Sequence, residues 1–202
     1  SISKDIDLLK KTGVKYLYLP TDKDIYSFKT KKPIYLDKFS KRLCGKLRPG
    51  HFKGVVNVIN RFIEIIKPYS IFLGAKDFQQ LTLIKIHIYK NKIPVKVISC
   101  PTIREKNGAA SSSRNYNLSN DQINIVGHVY KYLKKIKSEI FLIKSKKMKF
   151  KIINKLTSLG VNKLEYLEFL NTKTLKRAKK ATEKYNIFYA YRIGNVRLID
   201  NL

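Results

Sequence analysis

Three polar clusters contain the residue types that bind phosphate or carboxylate groups. The first is GAKDFQQ at 74–80, where Gly74 ends a short apolar run and Lys76 supplies a cation. On a helix Gln80 shares a face with Lys76 and Asp77. Open α/β sheets bind anions where a strand ends and a helix begins. This cluster therefore fits an anion site, although a charged first turn with solvated glutamines explains the same spacing.

The second cluster is NGAASSSRN at 107–115, which combines small residues, three hydroxyls and Arg114. Backbone N–H groups, serine hydroxyls and a guanidinium can all donate hydrogen bonds to phosphoryl oxygens. The cluster could clamp a phosphate, and serine-rich loops are also common as plain linkers.

The third cluster is RPGHF at 48–52, a Pro-Gly turn that carries Arg48 and His51. A single histidine in a turn is usually structural, and neither His87 nor His128 has an evident partner. The sequence contains no Ser/His/Asp order, HExxH or P-loop pattern. Anion binding is therefore the chemistry that the residues themselves indicate.

The hydrophobic pattern predicts the elements that must position these clusters. Predicted helices lie at 3–12, 53–67, 76–90, from 119 onward and at 146–159, two of them ending at Gly13 and Gly160. Predicted strands lie at 14–20, 70–74, 93–100, 161–170, 186–193 and 196–200. The second helix should bury one face, formed by Val55, Val58, Ile59, Phe62 and Ile66. Ser119 to Gln122 should form a capping box, and Gly194-Asn195 a hairpin turn.

This order of elements predicts an α/β protein. A strand, a crossover helix and a strand over 70–100 form a parallel βαβ unit. The region after Pro101 changes character and reads as two helices followed by three strands. We therefore predict a parallel-sheet domain at 1–101 and a smaller α+β domain at 102–202.

Length and charge limit the classes of function. The chain has 202 residues and is 44% hydrophobic, so it can bury a core. Its formal net charge of +29 is of the kind found in nucleic-acid-binding proteins. Residues 1–101 contain 21 basic and 7 acidic side chains and the rest contain 22 and 7, so no arm concentrates the charge. Lysines outnumber arginines by 35 to 8, which is atypical of base readers. We therefore interpret the charge as a solvated basic exterior. A nucleic-acid surface is the lesser alternative, with KSKKMKFK at 144–151 as its best candidate.

The remaining composition predicts a cytoplasmic protein. No apolar stretch is long enough to span a membrane, and the first residues lack the apolar core of a signal peptide. Cys44 and Cys100 have no metal-ligand spacing, so we interpret both as ordinary small buried residues. No metal site is predicted.

Four segments in order resemble the pantothenate synthetase (pantoate–beta-alanine ligase) family. They are RPGHFKGVV (48–56), PYSIFLGAKDFQQL (68–81), CPTIREKNGAASSSRN (100–115) and YRIGNVRLIDN (191–201). The resemblance implies a partial Rossmann-like ATP-binding domain, followed by a C-terminal domain that closes over the active site, as in class I aminoacyl-tRNA synthetases. It also implies condensation of pantoate with β-alanine, using ATP and Mg²⁺, through a pantoyl-adenylate. Full-length family members are expected to form homodimers.

The resemblance also assigns site residues. Lys76 and Arg114 are the expected catalytic residues. The expected ATP-binding residues are Gly74, Ala75, Lys76, Asp77, Ile103, Ser111, Ser112, Ser113 and Arg114. Gln80 is expected to bind pantoate, while Arg48 and His51 are expected to position the site.

The chain departs from the family pattern in three ways. Ala75 replaces a usual Glu, and Ser111 replaces a usual Met or Leu. The HIGH-type histidine motif has no counterpart in residues 1–202, so we expect this chain to be the larger C-terminal part of a ligase and to catalyse poorly alone. A noncatalytic nucleotide-binding remnant is the main alternative.

Overall fold

The computed structural model describes residues 2–137, 146–178 and 184–202. Its helices are α1 (Ile2–Lys11), α2 (Asp22–Tyr26), α3 (Leu43–Leu47), α4 (His51–Ile66), α5 (Phe78–Lys90), α6 (Asn120–Ile136) and α7 (Lys146–Ser158). Its strands are β1 (Ser70–Gly74), β2 (Lys96–Cys100), β3 (Lys163–Asn171), β4 (Tyr185–Ile193) and β5 (Val196–Asn201). The mixed α/β class predicted from the sequence is confirmed.

The first sheet is the parallel pair that the sequence predicts. Strand β1 pairs with β2 in parallel, in a register from Ser70 opposite Lys96 to Gly74 opposite Cys100. Helix α5 connects the two strands and buries Leu83 and Ile84. A 3₁₀ turn at Ala75–Asp77 separates β1 from α5, so the polar cluster follows the strand end directly.

The second sheet is antiparallel and contributes to both hydrophobic cores. Its strand order is β3-β4-β5, and Gly194-Asn195 joins the last two strands. Ile187 and Tyr189 pack in the core that contains α6 and α7. Phe188 points to the opposite face of the strand and packs with residues of α4 and α5. The sheet therefore joins the two halves of the chain, and the domain division at residue 101 stays a prediction.

Two expectations about the first half are wrong in detail. Residues 14–20 form no strand and pair with no strand in the described part of the chain, and Tyr16 is 91% exposed. Strand β2 begins at Lys96 rather than at Ile93, because Pro94 has no N–H for a sheet hydrogen bond.

The predicted buried face of α4 is also rotated. The helix buries Phe52, Val56, Asn60 and Ile63, whereas Ile66 is exposed. Asn60 lies inside because its amide donates to the carbonyl oxygen of Lys32, 3.3 Å away, and its Oδ1 lies 3.2 Å from Nε2 of His87. Periodicity of apolar residues cannot predict a buried polar residue such as Asn60, so it misplaced the buried face of this helix.

The second half matches its predicted boundaries more closely. Ser119 Oγ accepts from the Gln122 N–H at 3.3 Å, and Gln122 Oε1 accepts from the Ser119 N–H at 3.0 Å, which confirms the capping box. Helix α7 ends just before Gly160, whose φ is +102°. The basic run at 144–151 begins outside the described residues. None of the described helices is long and apolar enough to cross a membrane.

Candidate functional site

A cavity of about 250 Å³ lies between the carboxyl end of β1 and the antiparallel sheet. All three polar clusters contribute to its wall. The site residues predicted from the sequence that line it are Arg48, His51, Lys76, Asp77, Gln80, Ser112, Ser113 and Arg114. Gly74, Ala75, Ile103 and Ser111 are not in its lining, although Ala75 and Ser111 directly precede the lining residues Lys76 and Ser112.

The Lys76 side chain is carried by the 3₁₀ turn between β1 and α5. The amide nitrogen of Asn201 donates to the carbonyl oxygens of Ala75, at 2.9 Å, and of Lys76, at 3.0 Å. A Cβ atom at Gly74 would meet no atom within 4 Å, and the φ of Gly74 is −68°. Nothing among the described residues therefore requires glycine at this strand end.

The two glutamines of the first cluster have different environments. Gln79 is buried, and its amide nitrogen donates to the carbonyl oxygens of Phe39 and Arg42, both at 2.8 Å. Its Oε1 accepts from the Cys44 N–H at 3.1 Å. The interpretation as solvated glutamines is thus wrong for Gln79, which fixes the start of α5, while Gln80 lines the cavity.

The serine-rich segment is an ordered wall of the cavity. Ser112 Oγ accepts from the Arg114 N–H at 3.3 Å and caps a 3₁₀ helix at Ser113–Asn117. Arg114 Nη1 donates to the carbonyl oxygen of Arg197 in β5 at 2.9 Å. At the base of the segment the Ser111 N–H donates to the Ile103 carbonyl oxygen at 2.9 Å. A plain linker would not be held at both ends in this way.

His51 is held as a neutral imidazole. Its Nε2 lies 3.0 Å from Nη1 of Arg48, and because a guanidinium can only donate, Nε2 accepts and Nδ1 carries the proton. Burial lowers the pKa of His51 below its ordinary 6.5, and the cations of Arg48, Arg197 and Arg114 lower the same pKa further. His51 is therefore neutral at pH 7.

A second group of side chains in the wall was not identified from the sequence. Cys44 Sγ lies 3.1 Å from the Tyr166 hydroxyl, and Arg197 Nη2 donates to the same sulfur at 3.7 Å. Arg197 Nε also donates to Glu165 Oε2 at 2.7 Å. Burial and the neighbouring Cys44 raise the pKa of Tyr166, so its hydroxyl stays protonated. Cys44 is buried as expected but forms part of the cavity wall, and Cys100 is only half-buried.

Asp200 is the other site residue that sequence reasoning missed. Its carboxylate lines the cavity and accepts from both Nη atoms of Arg104, at 2.7 and 3.1 Å, and from the Tyr189 hydroxyl at 3.0 Å. Burial alone would lower the pKa of Arg104, but the hydrogen bond and charge of Asp200 raise it. In the sequence Asp200 lies in the segment at 191–201, and the spacing of residues in that segment indicated no role for this carboxylate.

The balance of charge makes the cavity suitable for a polyanion. Arg48, Lys76, Arg114 and Arg197 line it together with the carboxylates of Asp77 and Asp200. Asp200 is paired with Arg104 and Arg197 with Glu165, so the cavity keeps an excess of positive charge. A second cavity of about 510 Å³ shares Arg48 and Arg197 with the first. Among the described residues no three His, Cys, Asp or Glu side chains are grouped so that they could hold a metal ion.

Comparisons with known proteins give matches along nearly the whole chain. The family model described as pantoate-beta-alanine ligase matches residues 1–202. Pantothenate synthetase from Azobacteroides pseudotrichonymphae is 36% identical over 197 residues, which cover 96% of this chain and 70% of that protein. The enzyme from Pseudothermotoga lettingae is 35% identical over 204 residues, covering 100% and 72%.

Two solved structures share the fold over the whole chain. Pantothenate synthetase from Thermus thermophilus matches with a TM-score of 0.86 and 27% identity, covering 74% of that chain. Pantoate-beta-alanine ligase from Francisella tularensis matches with a TM-score of 0.78 and 34% identity, covering 69% of that chain. The Francisella protein was crystallised with beta-gamma ATP and beta-alanine.

Proposed function

Because the chain belongs to the pantoate-beta-alanine ligase family, we propose that it joins pantoate to β-alanine at the expense of ATP, in the biosynthesis of pantothenate. The observation that carries the proposal is the convergence of four cations, two serines and Gln80 on one cavity at the end of β1. A site of this composition suits a triphosphate next to a small hydroxy acid.

The proposed reaction has two balanced steps. A carboxylate oxygen of pantoate attacks the α-phosphorus of ATP, the bond from that phosphorus to the β-phosphate oxygen breaks, and pyrophosphate leaves. The amine of β-alanine then attacks the carbonyl carbon of the pantoyl-adenylate. The carbon–oxygen bond to AMP breaks, and AMP leaves with the oxygen that came from pantoate. The amine proton that is released goes to solvent.

The cationic residues provide the electrostatics for the first step. Charge on the phosphoryl oxygens rises as pyrophosphate leaves, so fixed donors stabilise the transition state more than the ground state. Lys76 and Arg114 are the proposed catalytic donors, and Ser112 and Ser113 add hydroxyl donors. Arg114 is held by its bond to the Arg197 carbonyl, so it is positioned before ATP binds.

The other predicted residues have binding or positioning roles in this proposal. The open space at Gly74 allows ATP to approach the backbone there, next to Ala75 and Asp77. The Ile103 backbone would contact adenine, and the bond from Ser111 fixes that carbonyl.

Three other cavity residues would contact pantoate. Gln80 would bind pantoate, while Arg48 and neutral His51 would orient it by hydrogen bonds rather than by proton transfer.

Four further expectations remain proposals. Mg²⁺ would enter as the ATP complex, because phosphate oxygens are its usual ligands. Residues 1–202 would correspond to the larger C-terminal part of a ligase, because they align with about 70% of the relatives' length. The cytoplasmic location and the homodimer stay predictions.

Removal of the Lys76 cation tests the proposal. Lys76→Ala in the complete natural polypeptide should lower kcat for AMP formation by roughly 10²- to 10³-fold, the usual effect of losing one transition-state donor. Lys85→Ala is the matched control, because Lys85 is an exposed lysine of α5 and should leave kcat unchanged. AMP release that does not require β-alanine would contradict the ligase. ATP binding without turnover would favour the noncatalytic remnant.

A further inference from the structure

We propose that Asn201 is a positioning residue that sets the geometry of the Lys76 turn for ATP. This inference rests on the proposed function, which gives Lys76 its role. Asn201 is the last residue of β5 and is only 8% exposed. No part of its side chain is needed to build the strand, because β5 is held by backbone pairing with β4.

Every polar atom of the Asn201 side chain has a partner that fixes its orientation. The amide nitrogen donates to the two consecutive carbonyl oxygens of Ala75 and Lys76, at 2.9 and 3.0 Å. Its Oδ1 accepts from Nδ2 of Asn186 at 2.9 Å. Since carbonyl oxygens can only accept, the amide cannot be reversed without losing both bonds to the turn.

The position of Asn201 is itself fixed by the neighbouring ion pair. Its backbone N–H donates to Asp200 Oδ1 at 2.8 Å, and its carbonyl oxygen accepts from Arg104 Nη2 at 3.2 Å. Arg104 stands at the base of the loop that leads to Ser112 and Arg114. The Lys76 turn and the loop that carries Ser112 and Arg114 are therefore both anchored to the same residue of β5.

This arrangement explains why a turn of three residues can hold a catalytic lysine. The 3₁₀ turn at 75–77 is short, and two of its carbonyl oxygens, those of Ala75 and Lys76, accept from Asn201 on β5. Without that amide the two carbonyls lose their side-chain donor, and the turn can shift by about 1 Å relative to β5. A misplacement of this size in a reacting group can cost about 10²-fold in rate.

The test uses Asn201→Ala and Asn201→Asp in the complete natural polypeptide. We expect Asn201→Ala to lower kcat for AMP formation by roughly 10- to 10²-fold, with KM for pantoate changed by less than about 3-fold. Asn201→Asp should lose more, because a carboxylate has no donor for the two carbonyls and would repel them. Asn186→Ala should lose less, because it leaves both donors of Asn201 in place.

Asn195 provides the matched control for these substitutions. It lies in the exposed turn six residues earlier, roughly 20 Å away along an extended strand. Asn195→Ala and Asn195→Asp should leave kcat and KM unchanged.

A second measurement separates this inference from the proposed function. Hydrogen–deuterium exchange of a peptide covering 70–80 should become faster in Asn201→Ala, while a peptide covering α6 should not change. Faster exchange in Asn201→Ala, combined with a wild-type protein that makes no AMP, would refute the ligase and keep the positioning role. Unchanged exchange at 70–80, or kcat within about 2-fold of wild type in an active enzyme, would overturn the role of Asn201.

Discussion

Replacing Arg104 with Met should cost roughly 3 kcal/mol of unfolding free energy, because it leaves the Asp200 carboxylate buried without a counter-charge. The two side chains are 20% and 8% exposed, and the guanidinium makes two bonds to the carboxylate. Breaking a buried pair on one side typically costs about 3–5 kcal/mol. The lower end applies here, because the Tyr189 hydroxyl and the Asn201 N–H still donate to Asp200.

A double-mutant cycle isolates the charge pairing from the loss of packing. Asp200→Asn in the Arg104→Met background removes the unpaired charge, so the double variant should be more stable than Arg104→Met alone. The coupling free energy should be about 2 kcal/mol, from urea unfolding of the four proteins at one pH and salt concentration. Arg177→Met removes an exposed arginine and should change stability by less than about 0.5 kcal/mol. Additivity within about 0.5 kcal/mol would refute the pairing argument.

Two further predictions concern pH and the strand end. Burial lowers the pKa of His87 below its ordinary 6.5, so its contribution to stability is present above pH 6.5 and lost as the pH falls below that value. Urea unfolding across this range should show the loss in wild type and much less of it in His87→Gln. His128→Gln, a change at an exposed histidine, is the control and should lose stability as wild type does. Gly74→Ala should leave the melting temperature unchanged but raise KM for ATP. Gly54→Ala, in an equally open position within α4, should stabilise the protein by up to about 1 kcal/mol and leave KM for ATP unchanged. A Gly74→Ala enzyme with normal KM for ATP would contradict close approach of the nucleotide.

Local patterns in the sequence were sufficient to predict most helices and strands in the second half of the chain. The capping box at Ser119 and the hairpin at Gly194 depend on neighbouring residues alone, so their signals are complete in the sequence. Residues 14–20 show why the first half was harder. Their composition is typical of a strand, yet a strand needs a partner, and no described segment pairs with them.

Buried polar residues limited the prediction of the core. His87 is fully buried, and its Nδ1 accepts from the Tyr35 N–H at 3.2 Å, while Nε2 donates to Asn60. The three residues are far apart in the chain, so no local spacing reveals their contact. The buried face of α4 was misassigned for the same reason.

The sequence predicted the site residues that lie in loops of distinctive composition. Lys76 and Arg114 stand out because glycine, serine and cations cluster around them. Asn201, which donates to the Lys76 carbonyl, and Arg197, whose carbonyl accepts from Arg114, lie on an ordinary strand more than 80 residues away. Their roles depend on three-dimensional contacts.

The transfer of oxygen from pantoate to AMP tests the central claim most directly. Pantoate labelled with a heavy oxygen isotope in its carboxylate would be incubated with ATP, Mg²⁺, β-alanine and the complete natural polypeptide, and the AMP would be weighed by mass spectrometry. The pantoyl-adenylate route predicts one labelled oxygen in each AMP, formed only when both substrates are present. AMP without label, or formed without pantoate, would contradict the proposed function.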